Sequence, residues 1–259
     1  MNFIKERWDD SAARWGEAYS ASWGDLFAIR LEIAAVGGHL RDGERVLDAG
    51  CGNGFALFEQ CKSHRFATAT GIDFSEGMIG AAESRLRREP ASCPIAFQLG
   101  DLRALPVPDG AFDAVYTTRA LINLPTWQDQ QAAIAECLRA TRPGGRVLLS
   151  EAFWEPLVKL NALRAVVGLS PLVEHDFNRY LKRSALEEFL VAQGLRWTCE
   201  HFSSVYYLGT RLLREMIETE PRPTEYQSDF NREFYRLEEF YSGGDVGIQQ
   251  LYVLHKSAE

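Results

Sequence analysis

Residues 45–54 read RVLDAGCGNG, a short aliphatic run that ends in three glycines at alternate positions. A run of this length and composition is a buried strand feeding a tight turn. Glycine has no Cβ, so the backbone can turn sharply there and a ligand can come against it. Asp48 stands two residues ahead of the first glycine and puts a carboxylate at the end of the strand. A dinucleotide loop reads G-x-G-x-x-G and aims a helix N-terminus at a pyrophosphate. Here the spacing is G-x-G-x-G behind an acid, which suits a cationic nucleoside-type ligand better. An ordinary strand–helix turn with no ligand could carry the same glycines.

The chain around this run alternates. A helix is expected over about 54–63, a strand over 66–74, and a helix over 75–89 with Ser75 as N-cap. Two strands follow, over 94–101 and 111–121. A helix opened by Thr126 runs to about 141, stops in RPGG, and leads to a fifth strand over 146–153. Strands separated by helical patterns predict a doubly wound, Rossmann-like α/β fold, with a mostly parallel seven-stranded sheet and helices on both faces. Its ligands would sit along the edge where the strands end. The expected organisation is an N-terminal helical flap (1–40), a core (41–151), a lid insertion (152–182) and a helix with strand six (183–205). A second lid insertion (206–243) and a closing strand (244–259) complete it. Both insertions follow strands, five and six, and so should rise over the ligand edge.

Two more acids end strands. Asp73, in GIDFS, is placed to accept both hydroxyls of a ribose, as in dinucleotide folds; helix capping is the bland alternative. Asp101, in LGDL, could accept the exocyclic amine of an adenine. Three acids at three successive strand ends are more than packing would select.

The segments VLDAGCGNG, GIDFSEGMI, GDLRALPVPDGAFDAVYTTRALINLP and RPGGRVLLSE resemble, in order and spacing, the motifs of class I S-adenosylmethionine-dependent methyltransferases. The resemblance covers about 41–151 and is almost silent on the substrate. It implies that S-adenosyl-L-methionine binds and leaves as S-adenosyl-L-homocysteine. It implies that Asp48, Gly50, Cys51 and Gly52 surround the methionine part, that Asp73 holds the ribose with Phe74 on the adenine, and that Asp101 takes the adenine amine beside Leu102. Thr118 and Arg119 would lie near the sulfonium. In the flap, Tyr19 or Trp23 could close on the methionine end, and Arg30 could pair with its carboxylate. Family members often carry histidines where this chain has Ile122 and Asn123, so no base is borrowed from there.

Composition bounds the partners. The chain has 259 residues, 46% of them hydrophobic, with a formal net charge of -8 and a pI near 5.3. An acidic surface repels phosphate backbones, so DNA is excluded as a partner and large RNA is disfavoured. Arg85, Arg87 and Arg88 form the densest basic cluster and read as the solvated end of a helix. The five cysteines lack metal-ligand spacing and suggest neither zinc nor a disulfide framework. With no long apolar run, a cytoplasmic location and no membrane partner are expected; a homodimer is compatible with all of this.

The acceptor is therefore expected to be a small molecule, methylated on oxygen or nitrogen, such as a natural product or a sugar. The rivals are a tRNA or protein methyltransferase, a silent cofactor-binding protein, and a nicotinamide enzyme. A base is needed only if the nucleophile must lose a proton. His175, the adjacent Asp176, Glu151 and the Tyr206–Tyr207 pair are candidates. Histidine leads, because it changes charge near neutral pH; an exposed structural histidine is the bland alternative. Phe153, Trp154, Leu157, Leu160, Leu163, Phe177, Tyr180 and Tyr235 would make the lid apolar and partly aromatic.

Overall fold

The computed structural model describes residues 2–217, 225–241 and 243–258. The chain enters through α1 (Asn2–Trp15) and α2 (Leu26–Gly37). The apolar run becomes β1 (Arg45–Ala49), followed by α3 (Phe55–Ser63), β2 (Thr68–Asp73), α4 (Glu76–Arg88) and β3 (Ile95–Leu99). Then come β4 (Phe112–Thr118), α5 (Trp127–Ala140), β5 (Thr141–Ala152), α6 (Trp154–Val166), α7 (Arg183–Ala192) and β6 (Arg196–Glu200). A short helix α8 (Ser204–Leu208) runs through a π-turn at Gly209–Leu213 into α9 (Arg214–Ile217); α10 (Asp229–Phe240) and β7 (Gln249–His255) close the chain.

The seven strands form one sheet in the order β3-β2-β1-β4-β5-β7-β6. Pairing is parallel except for β7, which runs antiparallel to β5 and β6. This is the doubly wound, mostly parallel architecture expected. β1, β4 and the second half of β5 are buried along almost their whole length because helices cover both of their faces. The strand order reverses between β1 and β4, so their ends part there and leave a crevice. Ser75 and Thr126 cap α4 and α5 as expected, each accepting from a backbone N–H three residues on.

Three local expectations change. β5 starts at Thr141, so RPGG lies within the strand, across from an irregularity between Phe112 and Ala114. Arg85 is no solvated helix end: it is buried, its guanidinium over Phe55 and Phe58, while Arg87 and Arg88 remain exposed. The separator PRPTEYQ falls partly at 221–224, outside the described residues. No helix among the described residues is long and apolar enough to cross a membrane.

Candidate active site

The glycine loop holds its shape by backbone bonds. Gly50 and Cys51 both donate N–H groups to the Ile72 carbonyl, at 2.7 and 3.0 Å. Gly50 has φ +85°, and a Cβ there would lie 2.3 Å from the Ala120 Cβ. Gly52 has φ +53° but faces open space, with nothing within 4 Å of a Cβ position. Beneath the loop, Asp48 is fully buried and neither carboxylate oxygen has a hydrogen-bond partner. The buried Tyr116 hydroxyl is the one side chain that leans on this carboxyl, short of good hydrogen-bond geometry. Burial pushes the Asp48 carboxyl up to about 8; the nearby Tyr116 hydroxyl opposes this, and the Asp73 and Glu32 carboxylates add to it. Buried polar groups are nearly always paired, so an orphaned carboxyl under a glycine loop marks room for a cation or donor.

Asp73 lies at the end of β2 and also lines the cleft. One of its oxygens accepts from Gly52 N–H and the other from Ser75 N–H, both at 2.9 Å. Burial raises its carboxyl to about 6, against these backbone bonds. Phe74, Leu102 and Thr118 line the same cleft, whereas Cys51 is buried in its floor without lining it.

Arg119 follows directly on β4 with φ +51°, the one non-glycine residue in the left-handed region among those described. Such strain clusters where function demands it. Its Nε donates to Glu32 at 3.0 Å, and its guanidinium lies over the Trp23 ring, 5.2 Å from the centroid. Glu32 is buried in α2 and also accepts from Ser150 at 3.0 Å and Gln249 at 3.2 Å. Burial raises the Glu32 carboxyl, opposed by Arg119.

Several expected site residues stand elsewhere. Asp101 is clamped by Arg103, whose Nε and Nη2 donate to its two oxygens at 3.0 and 2.6 Å, so its acceptor sites are spent outside the cleft. Arg30 is exposed on the outer side of α2 and, with Tyr19, lines a separate groove. The Tyr19 hydroxyl accepts from Gln227 at 2.9 Å. Glu151 is no exposed base. It is fully buried and accepts from the Thr117 hydroxyl and from the Ala120 and Leu121 N–H groups, with burial raising it to about 7. Tyr206 is buried too, its hydroxyl donating to Asp25 at 2.6 Å.

The N-terminal segment is latched over the cleft. The Asn53 amide donates to the carbonyls of Gly16 and Ala18, at 2.9 and 2.8 Å. Asp9 accepts from the Ser75 hydroxyl and the Gly77 N–H at the start of α4. These bonds set Trp8 into the cleft wall, leaving a space of about 70 Å³. Trp8, Ser22, Arg119 and Asn123 also line a second chamber of about 450 Å³, so the two spaces share a wall. A chamber of that size suits a compact organic molecule. Trp23, Leu157, Phe177, Tyr180 and Tyr207 line it too, as does His175, which is exposed and stacked on Phe177 with ring centroids 5.2 Å apart. Asp176 is exposed and lies outside both linings. Of the other lid residues, Phe153 and Leu160 are fully buried, while Trp154 and Leu163 are exposed.

Asp9, Glu32 and Asn53 escaped the sequence reading. Glu32 had one signal, a lone acid in the apolar stretch LFAIRLEIAAVG; the others act through contacts distant in sequence.

A seven-stranded sheet with one antiparallel strand opens at its switch point onto a glycine loop and a buried acid. Residues 46–145 match the family described as Methyltransferase domain. It is 32% identical over 149 residues to 27-O-demethylrifamycin SV methyltransferase of Amycolatopsis mediterranei, covering 58% of this chain and 50% of that protein. It is 35% identical over 148 residues to demethylmenaquinone methyltransferase of Beutenbergia cavernae, covering 56% of each. The chain thus spans about half the length of these relatives. The structure of an S-adenosylmethionine-dependent methyltransferase from Thermotoga maritima superposes with a TM-score of 0.60 at 16% identity, covering 99% of this chain and all of that one.

Proposed function

We propose that the chain transfers a methyl group from S-adenosyl-L-methionine to an oxygen or nitrogen of a small organic acceptor. The observation that carries this is the shared wall: a glycine-loop cleft lies against a chamber of about 450 Å³ lined by aromatic side chains, with Trp8, Ser22, Arg119 and Asn123 common to both. An RNA or protein acceptor would need an open groove, and the relatives named above carry the names of small-molecule methyltransferases. When bound, the cofactor supplies a methyl group on a cationic sulfur, and transfer is an in-line displacement.

The residues present fit that ligand. Asp48 offers an unpaired carboxyl to a cationic group, and the Gly50–Gly52 backbone, Cys51 included, lies against the methionine part. Asp73 retains lone pairs for ribose hydroxyls, and Phe74 and Leu102 flank the adenine. Thr118 and Arg119 stand at the methionine end, and Arg119 takes the carboxylate-binding role that Arg30 is too remote to fill. Trp8, Trp23 and Phe177 exclude water from the junction, where alignment and desolvation supply much of the rate. The cleft space of about 70 Å³ is far below the ~300 Å³ of ordinary ligand pockets, so entry requires the α1 segment to yield.

That requirement is testable. Asn53→Ala removes two hydrogen bonds from the latch, each worth ~1 kcal/mol. Stopped-flow measurements should show S-adenosylhomocysteine leaving several-fold faster. An unchanged off-rate means the latch does not gate the cleft.

His175 is the base in this reading when the nucleophile is a hydroxyl. Tyr207 keeps its proton, because burial holds its hydroxyl well above the usual value, and so donates a hydrogen bond instead. Asp176 has no part in it. His175→Ala should lower turnover roughly 100-fold with cofactor affinity intact. Equal turnover would leave alignment alone as the source of rate, as for a neutral amine. The function itself is tested by incubation with methyl-labelled cofactor and separated metabolite, RNA and protein fractions. Label in the metabolites is expected; label only in RNA or protein overturns the small-molecule reading.

A further inference from the structure

The chamber wall contains a cation that nothing in the methyl transfer so far described uses. Arg211 sits on the π-turn between α8 and α9, a local geometry found disproportionately at functional sites. It is 8% exposed. Its Nη2 donates to the fully buried Asp25 at 2.5 Å, and Asp25 also accepts from Tyr206 and from Ala28 N–H. Its guanidinium lies over two rings of the chamber, 5.0 Å from the Tyr226 centroid and 5.5 Å from that of Tyr207. The other terminal nitrogen, Nη1, is buried and has no hydrogen-bond partner. An unpaired nitrogen on a buried guanidinium is costly, and native structures seldom leave one without a water, ligand or ion to meet it.

The rest of the wall has the same sign. Arg7, Arg119 and Arg211 all line the chamber, and no aspartate or glutamate does so among the described residues. Arg119 is compensated by Glu32, but Arg7 is engaged, among the described residues, by aromatic rings alone, its guanidinium 3.5 Å from the Phe177 centroid. In a chain of net charge -8 this is a local reversal. Two unpartnered acceptors complete the picture, Asn123 Oδ1 at the junction with the cleft and Gln249 Oε1. Each is held by its own amide nitrogen, which donates to the Arg119 carbonyl and to Glu32 respectively.

We propose that the methyl acceptor is an aromatic carboxylic acid: its carboxylate pairs with Arg211 between Tyr207 and Tyr226, and its hydroxyl or amino group donates to Asn123 beside the cofactor. A guanidinium with one edge spent on Asp25 still presents a charged donor, and a carboxylate answers it better than a neutral carbonyl. The aromatic rings of the chamber wall favour a planar acceptor body. This inference rests on the methyl-transfer reading and names its substrate class.

The test uses the whole protein saturated with S-adenosylhomocysteine, titrated calorimetrically with matched acids and amides: benzoate and benzamide, phenylacetate and phenylacetamide, cinnamate and cinnamamide. At least one acid should bind about tenfold or more tighter than its amide. Arg211→Lys keeps a charge opposite Asp25 but has one nitrogen, so it should abolish that preference and leave S-adenosylhomocysteine binding unchanged. If every pair binds alike, or the preference survives in Arg211→Lys, the assignment fails. Phenyl phosphate binding more tightly than every carboxylate would overturn it in favour of a phosphate ester. Crystals of the parent protein soaked with 4-iodobenzoate give a readout independent of the variant. The carboxylate should lie within hydrogen-bond distance of Arg211, and a carboxylate elsewhere overturns the proposal. Failure of S-adenosylhomocysteine itself to bind would instead sink the methyl-transfer reading.

Discussion

Gly50→Ala is expected to abolish measurable cofactor binding and to lower Tm by roughly 5–10 °C, the response of a domain this size to a loss of ~3 kcal/mol. Two causes add. The backbone at φ +85° is strained for any residue with a Cβ, at a cost of order 1–3 kcal/mol. The new methyl would also stand 2.3 Å from the Ala120 Cβ, well inside van der Waals contact, in a loop already fixed to Ile72. Ala120 begins the segment after Arg119, so relief of the clash pushes apart the two strand ends that form the crevice. The double variant Gly50→Ala with Ala120→Gly should recover part of the Tm, because it removes the clash and keeps the strain. Gly52→Ala is the contrast: at φ +53° it carries the backbone strain but meets no clash, so it should cost the fold clearly less than Gly50→Ala. Equal stability losses at the two glycines, or no rescue by Ala120→Gly, would show that the close approach is not what demands Gly50.

That contrast marks how far the sequence could be read. The G-x-G-x-G spacing announced a turn and a ligand, because glycine's permissiveness is a property of one residue. Which glycine is sterically compelled depends on Ala120, seventy residues away, and no spacing reveals it. The sheet was legible for the same reason: β1, β4 and the second half of β5 are buried on both faces, and apolar runs between helical patterns follow directly. β5 was cut short because Pro and Gly read as a stop, whereas pairing across an irregularity beside Asp113 tolerates them. Acids at strand ends were visible, but their availability was not. Asp48 and Asp101 look alike in sequence, yet one is orphaned under a loop and the other is clamped by an arginine two residues on. Of the two arginines expected near the methionine end, helical spacing turns Arg30 outward on α2, while Arg119 lines the cleft and is held by a glutamate from that same helix.

Asp48 gives the second large effect, through its ionisation. The folded carboxyl titrates near 8 and the unfolded one near 3.8, so the folded chain holds the proton more tightly. Its contribution to stability is therefore complete below about pH 4 and is lost as pH rises through 8. Asp48→Asn cannot ionise, so it should match the parent below about pH 4, gain on it steadily as pH rises from there, and hold a constant advantage above about pH 8. The gain should reach a few kcal/mol, because each tenfold change in proton affinity on folding is worth ~1.4 kcal/mol. Glu151 and Glu238, both near 7, tilt parent and variant alike and cancel in the comparison. Ligand binding should run the other way. A cationic group against Asp48 favours the ionised carboxyl, so S-adenosylmethionine should bind the parent more tightly as pH climbs from 6.5 to 8, releasing a proton as it does. Asp48→Asn should lose both that slope and most of the affinity at pH 8. Calorimetry in buffers of differing ionisation enthalpy measures the released proton directly. A slope that persists unchanged in Asp48→Asn would assign the linkage to another group, Asp73 first, and would leave the orphaned carboxyl beneath the loop with no part in holding the cofactor.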